Sequence, residues 1–109
     1  MKSSLLLLSL LTIPAAFADQ QHTRTLAASC AACHGPNGNS VGGTPVLAGL
    51  DRSHFLLQMQ SFRNGARAST VMHHHAKGLT IEEIEALAEY FSMQPRQASA
   101  VPVSMKHFE

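Results

Sequence analysis

The sequence has little charge of either sign and no excess of one sign. Eight Lys and Arg residues stand against seven Asp and Glu residues in 109 residues, so the formal net charge at pH 7 is +1. A domain that binds nucleic acid carries a basic stripe or patch, and this sequence contains neither. The composition therefore excludes an electrostatic nucleic-acid binder.

The sequence also lacks an apolar run long enough to cross a membrane. The apolar stretch from Leu5 to Ile13 is much shorter than the roughly 20 residues that a membrane-spanning helix needs. Pro14 ends this stretch, and a small-x-small cleavage pattern follows it and ends at Ala18. This order is typical of a secretory signal peptide, although a retained N-terminal anchor is the alternative. We expect residues 1–18 to direct export to the periplasm and to be cleaved.

Internal repeats and strand signals are missing as well. Residues 19–97 show no alternation of polar and apolar residues between hairpin turns, and apolar residues recur at helical spacing instead. The first helix is expected from about Gln20 to Cys33, where Gly35 and the following turn residues end it. We predict one all-α domain over residues 19–97 and a loose tail over residues 98–109.

Two further helices are predicted from their caps. The second begins near Asp51 or Ser53 and ends at Gly65, a residue suited to a left-handed C-cap. The third begins at Thr80, which forms a capping box with Glu83, and runs to the Gln94-Pro95 pair.

The sequence contains only two cysteines, Cys30 and Cys33, and His34 follows them directly. C-x-x-C-H is the attachment signature of c-type haem. Two cysteines three positions apart on a helical turn project to one side and can form thioethers to the two vinyl groups of one haem. The adjacent histidine can then bind the iron as the proximal ligand. This pattern predicts one covalently bound haem c.

Other uses of the cysteine pair are weaker. A disulfide would close too small a loop to stabilise the domain. A thiol–disulfide oxidoreductase normally places C-x-x-C on a βαβ framework, which is not predicted here. A zinc site would need more Cys or His residues at metal-ligand spacing.

A six-coordinate haem needs a second axial ligand, and Met72 is our candidate. It lies in a predicted loop between the second and third helices, which could fold over the far face of the haem. Met59 and Met93 lie on predicted helix faces, where methionine usually fills the core. The neighbouring histidines His73–His75 could compete for the iron or bind an adventitious metal ion, but an exposed loop edge is the favoured interpretation.

Several residues could support the haem. The carbonyl of Pro45 is a candidate acceptor for the second ring nitrogen of His34. Arg63 and Arg67 could pair with the haem propionates or remain solvated. Tyr90 is expected to pack the third helix against the small residues of the first.

These residues resemble the class I cytochrome c family. The resemblance rests on Cys-Ala-Ala-Cys-His-Gly-Pro-Asn-Gly-Asn-Ser, on P-x-L-A-G beginning at Pro45, on Met72 and on Leu-Ala-Glu-Tyr-Phe near the end of the third helix. The F-R-N-G-A-R stretch points to the cytochrome c4/c553 branch. The resemblance implies three main helices around one haem, crossed terminal helices, His and Met axial ligands and a proline carbonyl bonded to the proximal histidine. It also implies one-electron transfer without substrate chemistry.

A narrower resemblance is to the cytochrome subunit of flavocytochrome c sulfide dehydrogenases. Cys-His-Gly-Pro-Asn-Gly-Asn-Ser-Val-Gly and Ala-Ser-Thr-Val-Met with Ala-Lys-Gly carry it. In such enzymes a flavin subunit oxidises sulfide and passes electrons to the cytochrome, so the implied partner is a flavoprotein. This chain departs from the two-haem versions because it has one C-x-x-C-H motif. The alternatives are a free c553-like electron shuttle, a haem enzyme or ligand sensor with an open iron position, and a thiol redox protein.

Overall fold

A computed structural model describes residues 15–98 of the protein. Within this range the chain forms four α-helices and no strand, so the all-α prediction is confirmed. The helices are α1 (Ala15–His34), α2 (Arg52–Asn64), α3 (Met72–Gly78) and α4 (Ile81–Ser92), and a short 3₁₀ turn, Pro36–Gly38, follows α1. None of the described helices is long and apolar enough to cross a membrane.

The predicted signal peptide and tail fall largely outside the described residues. Residues 1–14 and 99–109 are not described, so cleavage after Ala18 and a loose C-terminal tail remain predictions. Helix α1 begins at Ala15 rather than near Gln20, and it therefore includes the last residues of the predicted signal.

Both ends of α2 and the start of α4 are where their caps predict them. The Asp51 side chain accepts a hydrogen bond of 2.9 Å from the backbone N–H of His54, and Gly65 closes α2 with a left-handed φ of 80°. At α4, the Glu83 N–H donates to Thr80 Oγ1 at 3.1 Å. The Thr80 N–H donates in return to Glu83 Oε2 at 2.8 Å, which completes the predicted capping box.

Helix α3 adds a short element to the three predicted helices. The segment that was expected to be a loop contains seven helical residues, which begin at Met72. No capping signal marks the start of this helix, because Val71 at its N-cap makes no side-chain capping bond. Such a short helix does not form on local propensity, and its stability comes from contacts with the rest of the fold.

Helix α4 lies at the centre of the core. Leu87 and Phe91 are its largest fully buried side chains, and Phe91 stacks on Phe55 of α2 with ring centroids 5.9 Å apart. Met59 fills the core as predicted, with 6% of its surface exposed. The same prediction for Met93 was wrong: it is 66% exposed, because α4 ends at Ser92 and residue 93 caps it on the surface.

Candidate functional site

The last turn of α1 brings the C-x-x-C-H residues together. Cys30 is half-buried against the core, Cys33 is exposed, and both carry free thiols. His34 ends the helix and is buried, with 8% of its surface exposed. Residues three and four apart on a helix face the same side, so the two thiols and the imidazole are presented together.

The ring of His34 is held by the loop that follows the motif. Its Nδ1 donates a hydrogen bond of 2.7 Å to the carbonyl oxygen of Pro45, which is the contact predicted from the sequence. The loop is fixed in turn by the Gly38 carbonyl, which accepts from the backbone N–H groups of Leu47 at 2.8 Å and Ala48 at 3.2 Å. With the proton on Nδ1, the other nitrogen, Nε2, keeps a lone pair for a metal ion.

Two asparagines of the motif region attach α1 to the C-terminal end of α4. The Tyr90 hydroxyl donates to Asn37 Oδ1 at 3.1 Å, and the Tyr90 side chain packs on the core cluster that includes Ala27 of α1. Asn39 is buried and donates to the Pro95 carbonyl at 3.1 Å, while its Oδ1 accepts from the Gln97 N–H at 2.8 Å. The role of Asn39 was not predicted, because turn residues of this type are usually exposed.

Met72 is the first residue of α3, and its half-buried side chain packs on the core. The next residue, His73, is bonded to Ser69, whose Oγ accepts from the His73 N–H at 2.9 Å and lies 3.0 Å from the ring Nδ1. His74 and His75 are exposed on α3 rather than on a loop edge. No three His, Cys, Asp or Glu side chains between residues 15 and 98 are arranged to hold a metal ion.

The two arginines that were candidates for haem propionates have protein partners. Arg63 Nη1 donates to the carbonyl oxygens of Ala76 at 3.1 Å and Leu79 at 2.6 Å. Both bonds come from one terminal nitrogen of the guanidinium, and the pairing of Arg63 with a propionate remains a prediction. Arg67 is exposed, donates to Gln58 Oε1 and lies over the Phe62 ring, with Cζ 4.8 Å from the ring centroid. Its pairing with a propionate remains a prediction.

The electrostatic setting of Cys30 opposes thiol redox chemistry. Burial raises the pKa of the Cys30 thiol above its ordinary value, and this exceeds the lowering by the hydrogen bonds around it. The thiol also lies near the C-terminal end of α1, where the helix dipole disfavours a negative charge. Reactive redox cysteines have a lowered pKa and commonly lie at helix N-termini. The setting of Cys30 therefore does not favour its use as a reactive thiolate in thiol exchange.

The donor set fits a covalently bound haem. The end of α1 offers two free thiols at attachment spacing and an oriented imidazole, and Met72 packs on the same core as Cys30. Haem also needs apolar walls, and four partly buried leucines pack on the core that Cys30 and Met72 also contact. They are Leu47, Leu50, Leu56 and Leu79.

Comparisons with known proteins also indicate a haem-binding cytochrome. A family model described as "Cytochrome C oxidase, cbb3-type, subunit III" matches residues 18–91. The "Cytochrome subunit of sulfide dehydrogenase" of Chlorobaculum tepidum is 48% identical over 66 residues, which is 61% of this chain and 60% of that protein. A "Thiosulfate dehydrogenase electron acceptor" of Thiomonas intermedia is 40% identical over 79 residues, 71% of this chain and 36% of that protein.

A third relative is matched over a larger share of its own length. The "Cytochrome c-553" of Helicobacter pylori is 33% identical over 69 residues, which is 62% of this chain and 72% of that protein. The chain spans 60% of the sulfide dehydrogenase subunit and about a third of the thiosulfate dehydrogenase acceptor. The chain belongs to the family that the matching model describes and is a class I c-type cytochrome, which carries a covalently bound haem c and transfers electrons.

Proposed function

We propose that this chain is a periplasmic one-electron carrier that serves as the cytochrome subunit of a sulfide-oxidising flavoprotein. In this proposal the single haem c is attached at Cys30 and Cys33, and His34 and Met72 are its axial ligands. The observation that carries the partner assignment is the 48% identity to the cytochrome subunit of sulfide dehydrogenase from Chlorobaculum tepidum.

The geometry at the end of α1 supports the proposed attachment and proximal ligation. The bound haem supplies an iron that cycles between the ferric and ferrous states. His34 is oriented by its 2.7 Å bond to the Pro45 carbonyl, which also makes the imidazole a stronger donor. Met72 supplies a neutral, soft sulfur, which favours the ferrous state and raises the reduction potential.

Two exposed apolar side chains support a docked subunit. Val41 is 99% exposed in the loop that also carries Pro45, and Val71 is 51% exposed directly before Met72. The centre of a protein contact surface is depleted of charged residues, so apolar side chains such as these suit it. We therefore assign the flavoprotein contact to Val71, next to Met72, and to Val41, in the loop of Pro45.

A free c553-like electron shuttle is the second candidate. The Helicobacter pylori cytochrome c-553 and the thiosulfate dehydrogenase electron acceptor favour it, because their names describe electron carriers. A free shuttle would purify as a monomer, and its affinity for partners would fall with salt. A haem enzyme or ligand sensor would leave the iron open in the resting state, so Met72 would not be bound.

The deciding experiment is affinity purification of the tagged haem protein from a native periplasmic extract. We expect a stoichiometric partner that contains flavin, and we expect sulfide to reduce the haem of the complex. A monomer that sulfide does not reduce in the presence of the extract would replace the subunit assignment with the shuttle. The intact mass separately tests attachment, since the chain must carry the mass of one haem.

A matched pair of variants tests the contact surface. Val71→Lys places a charge beside Met72, and we expect it to abolish purification of the flavoprotein with the cytochrome. Leu57→Lys is the control, because Leu57 is similarly exposed, at 59%, and lies on α2. Equal loss in both variants would contradict the assigned surface.

A further inference from the structure

Helix α3 is held at its C-terminal end by one side chain from α2. Arg63 lies in the last turn of α2 and donates from Nη1 to the carbonyl oxygens of Ala76 at 3.1 Å and Leu79 at 2.6 Å. Carbonyls at the end of a helix have no partner within the helix, so a guanidinium can satisfy them. Its positive charge also suits the negative end of the helix dipole.

The opposite end of α3 is held by Ser69. The Ser69 Oγ accepts from the backbone N–H of His73 at 2.9 Å and contacts the ring Nδ1 of the same residue at 3.0 Å. Between the two ends, Ala76 is fully buried against the core. A helix of seven residues is not stable by itself, so these contacts decide where α3 lies.

We propose that Arg63 is a positioning residue for the sulfur of Met72 and that it acts through α3. The inference rests on the proposed ligation of the haem iron by Met72. Because Met72 begins the helix that Arg63 holds, a shift or fraying of α3 would displace the methionine sulfur. A neutral thioether is a weak ligand, so a small loss of positioning would open the iron to other ligands.

No acidic side chain among the described residues pairs with Arg63. The ion pairs between residues 15 and 98 are His22–Glu83 and Arg52–Glu89, so no carboxylate there lies within ion-pair distance of Arg63. Both hydrogen bonds that its side chain donates go to backbone carbonyls at the end of α3. An ammonium on a flexible stem does not reproduce the planar fork of a guanidinium, so lysine would hold α3 less well.

The test uses the haem-loaded protein with Arg63→Met, Arg63→Lys and the control Arg52→Met. Arg52→Met removes an equal charge from the same helix, where Arg52 is exposed and 3.8 Å from Glu89. Three quantities are measured well below the unfolding temperature: the methionine–iron charge-transfer absorption of the oxidised protein, the affinity for imidazole and the reduction potential. The thermal midpoint is recorded in parallel. If Arg63 only stabilises the fold, its variants should lower the midpoint and leave the other three quantities unchanged.

We expect Arg63→Met to lose most of the charge-transfer absorption and to lower the reduction potential. It should bind imidazole about tenfold more tightly, a factor that the loss of one hydrogen bond from a charged donor can supply. For all three quantities, Arg63→Lys should give values between those of Arg63→Met and the unmodified protein. Arg52→Met should give the values of the unmodified protein. If Arg63→Met yields no haem protein, Arg63→Lys decides by the same measurements.

Two results would overturn the inference in different ways. Unchanged absorption and unchanged imidazole affinity in the Arg63 variants, with only a lower thermal midpoint, would leave Arg63 as a structural residue while ligation by Met72 stands. An unmodified oxidised protein without the charge-transfer absorption would refute ligation by Met72, and the inference would fail with it.

Discussion

His34 Nδ1 donates a hydrogen bond of 2.7 Å to the carbonyl oxygen of Pro45, eleven positions further along the chain. This bond joins the last residue of α1 to the loop that leads to α2, and it leaves Nε2 as the only metal-binding nitrogen of the ring. The proline ring restricts φ at the position that supplies the acceptor. The orientation of the proposed proximal ligand therefore depends on how well the loop holds one carbonyl.

Pro45→Gly should loosen that carbonyl without removing it. We expect a loss of about 1 kcal/mol in the free energy of unfolding, because glycine gives the unfolded chain more conformational freedom. We also expect the reduction potential to rise, because an imidazole with a weaker acceptor donates less charge to the ferric iron. Voltammetry and thermal unfolding measure both quantities. Pro36→Gly is the control, and an equal rise of the potential in that variant would contradict the role of the Pro45 carbonyl.

The features that were predictable from the sequence are those encoded locally. Thr80 and Glu83, which form the capping box, are three positions apart. Cys30, Cys33 and His34 lie within about one turn of helix. Local spacing of this kind is independent of the rest of the fold. The start and type of α4 and the grouping of the three motif residues could therefore be predicted.

The features that could not be predicted depend on contacts between distant segments. Helix α3 is held by Arg63, whose carbonyl partners lie 13 and 16 positions away. Asn39 is buried because it bonds Pro95 and Gln97, 56 and 58 positions away. Met93 was wrongly expected in the core, because the helical periodicity does not indicate that α4 ends one residue earlier. In each case the outcome depends on which segments meet in the folded chain.

Met72→Ala tests the proposed second axial ligand. We expect the oxidised protein to lose its methionine–iron charge-transfer absorption and the reduction potential to fall, because the sulfur that stabilises ferrous iron is gone. Imidazole should then bind at the open position. Met93→Ala is the control, since Met93 is exposed on the surface, and it should leave absorption and potential unchanged. An unchanged potential in Met72→Ala would contradict the ligand assignment.

Glu83→Gln tests the electrostatic link between α1 and α4. The Glu83 carboxylate accepts from His22 Nε2 at 2.7 Å and from the Thr80 N–H, and these bonds hold the pKa of Glu83 below its ordinary value of 4.5. A lowered folded pKa stabilises the protein above the unfolded pKa, and the contribution disappears as pH falls through the folded pKa. Glutamine keeps the capping bond but removes the charge.

The thermal midpoint of Glu83→Gln should therefore lie below that of the unmodified protein at neutral pH. The difference should shrink as the pH falls below about 4.5. Glu82→Gln, which removes a charge from the same turn of α4, is the control for the helix dipole. A difference between Glu83→Gln and the unmodified protein that does not change with pH would mean that the carboxylate charge is not responsible.

Gly38→Ala should disrupt the loop that supports His34. Gly38 has a φ of 77°, and a Cβ there would lie 2.8 Å from Leu47 Cβ and 2.9 Å from the Ala48 nitrogen. The left-handed conformation alone costs a non-glycine residue about 1–2 kcal/mol, and the two close contacts add to this cost. Because the Gly38 carbonyl also anchors the segment after Pro45, we expect a lower midpoint in denaturant and less haem per chain.

Gly43→Ala is the matched control, since nothing lies within 4 Å of its added Cβ, and it should change the free energy of unfolding by less than about 0.5 kcal/mol. Equal haem content and equal stability in the two variants would show that the tight turn at Gly38 does not support the site.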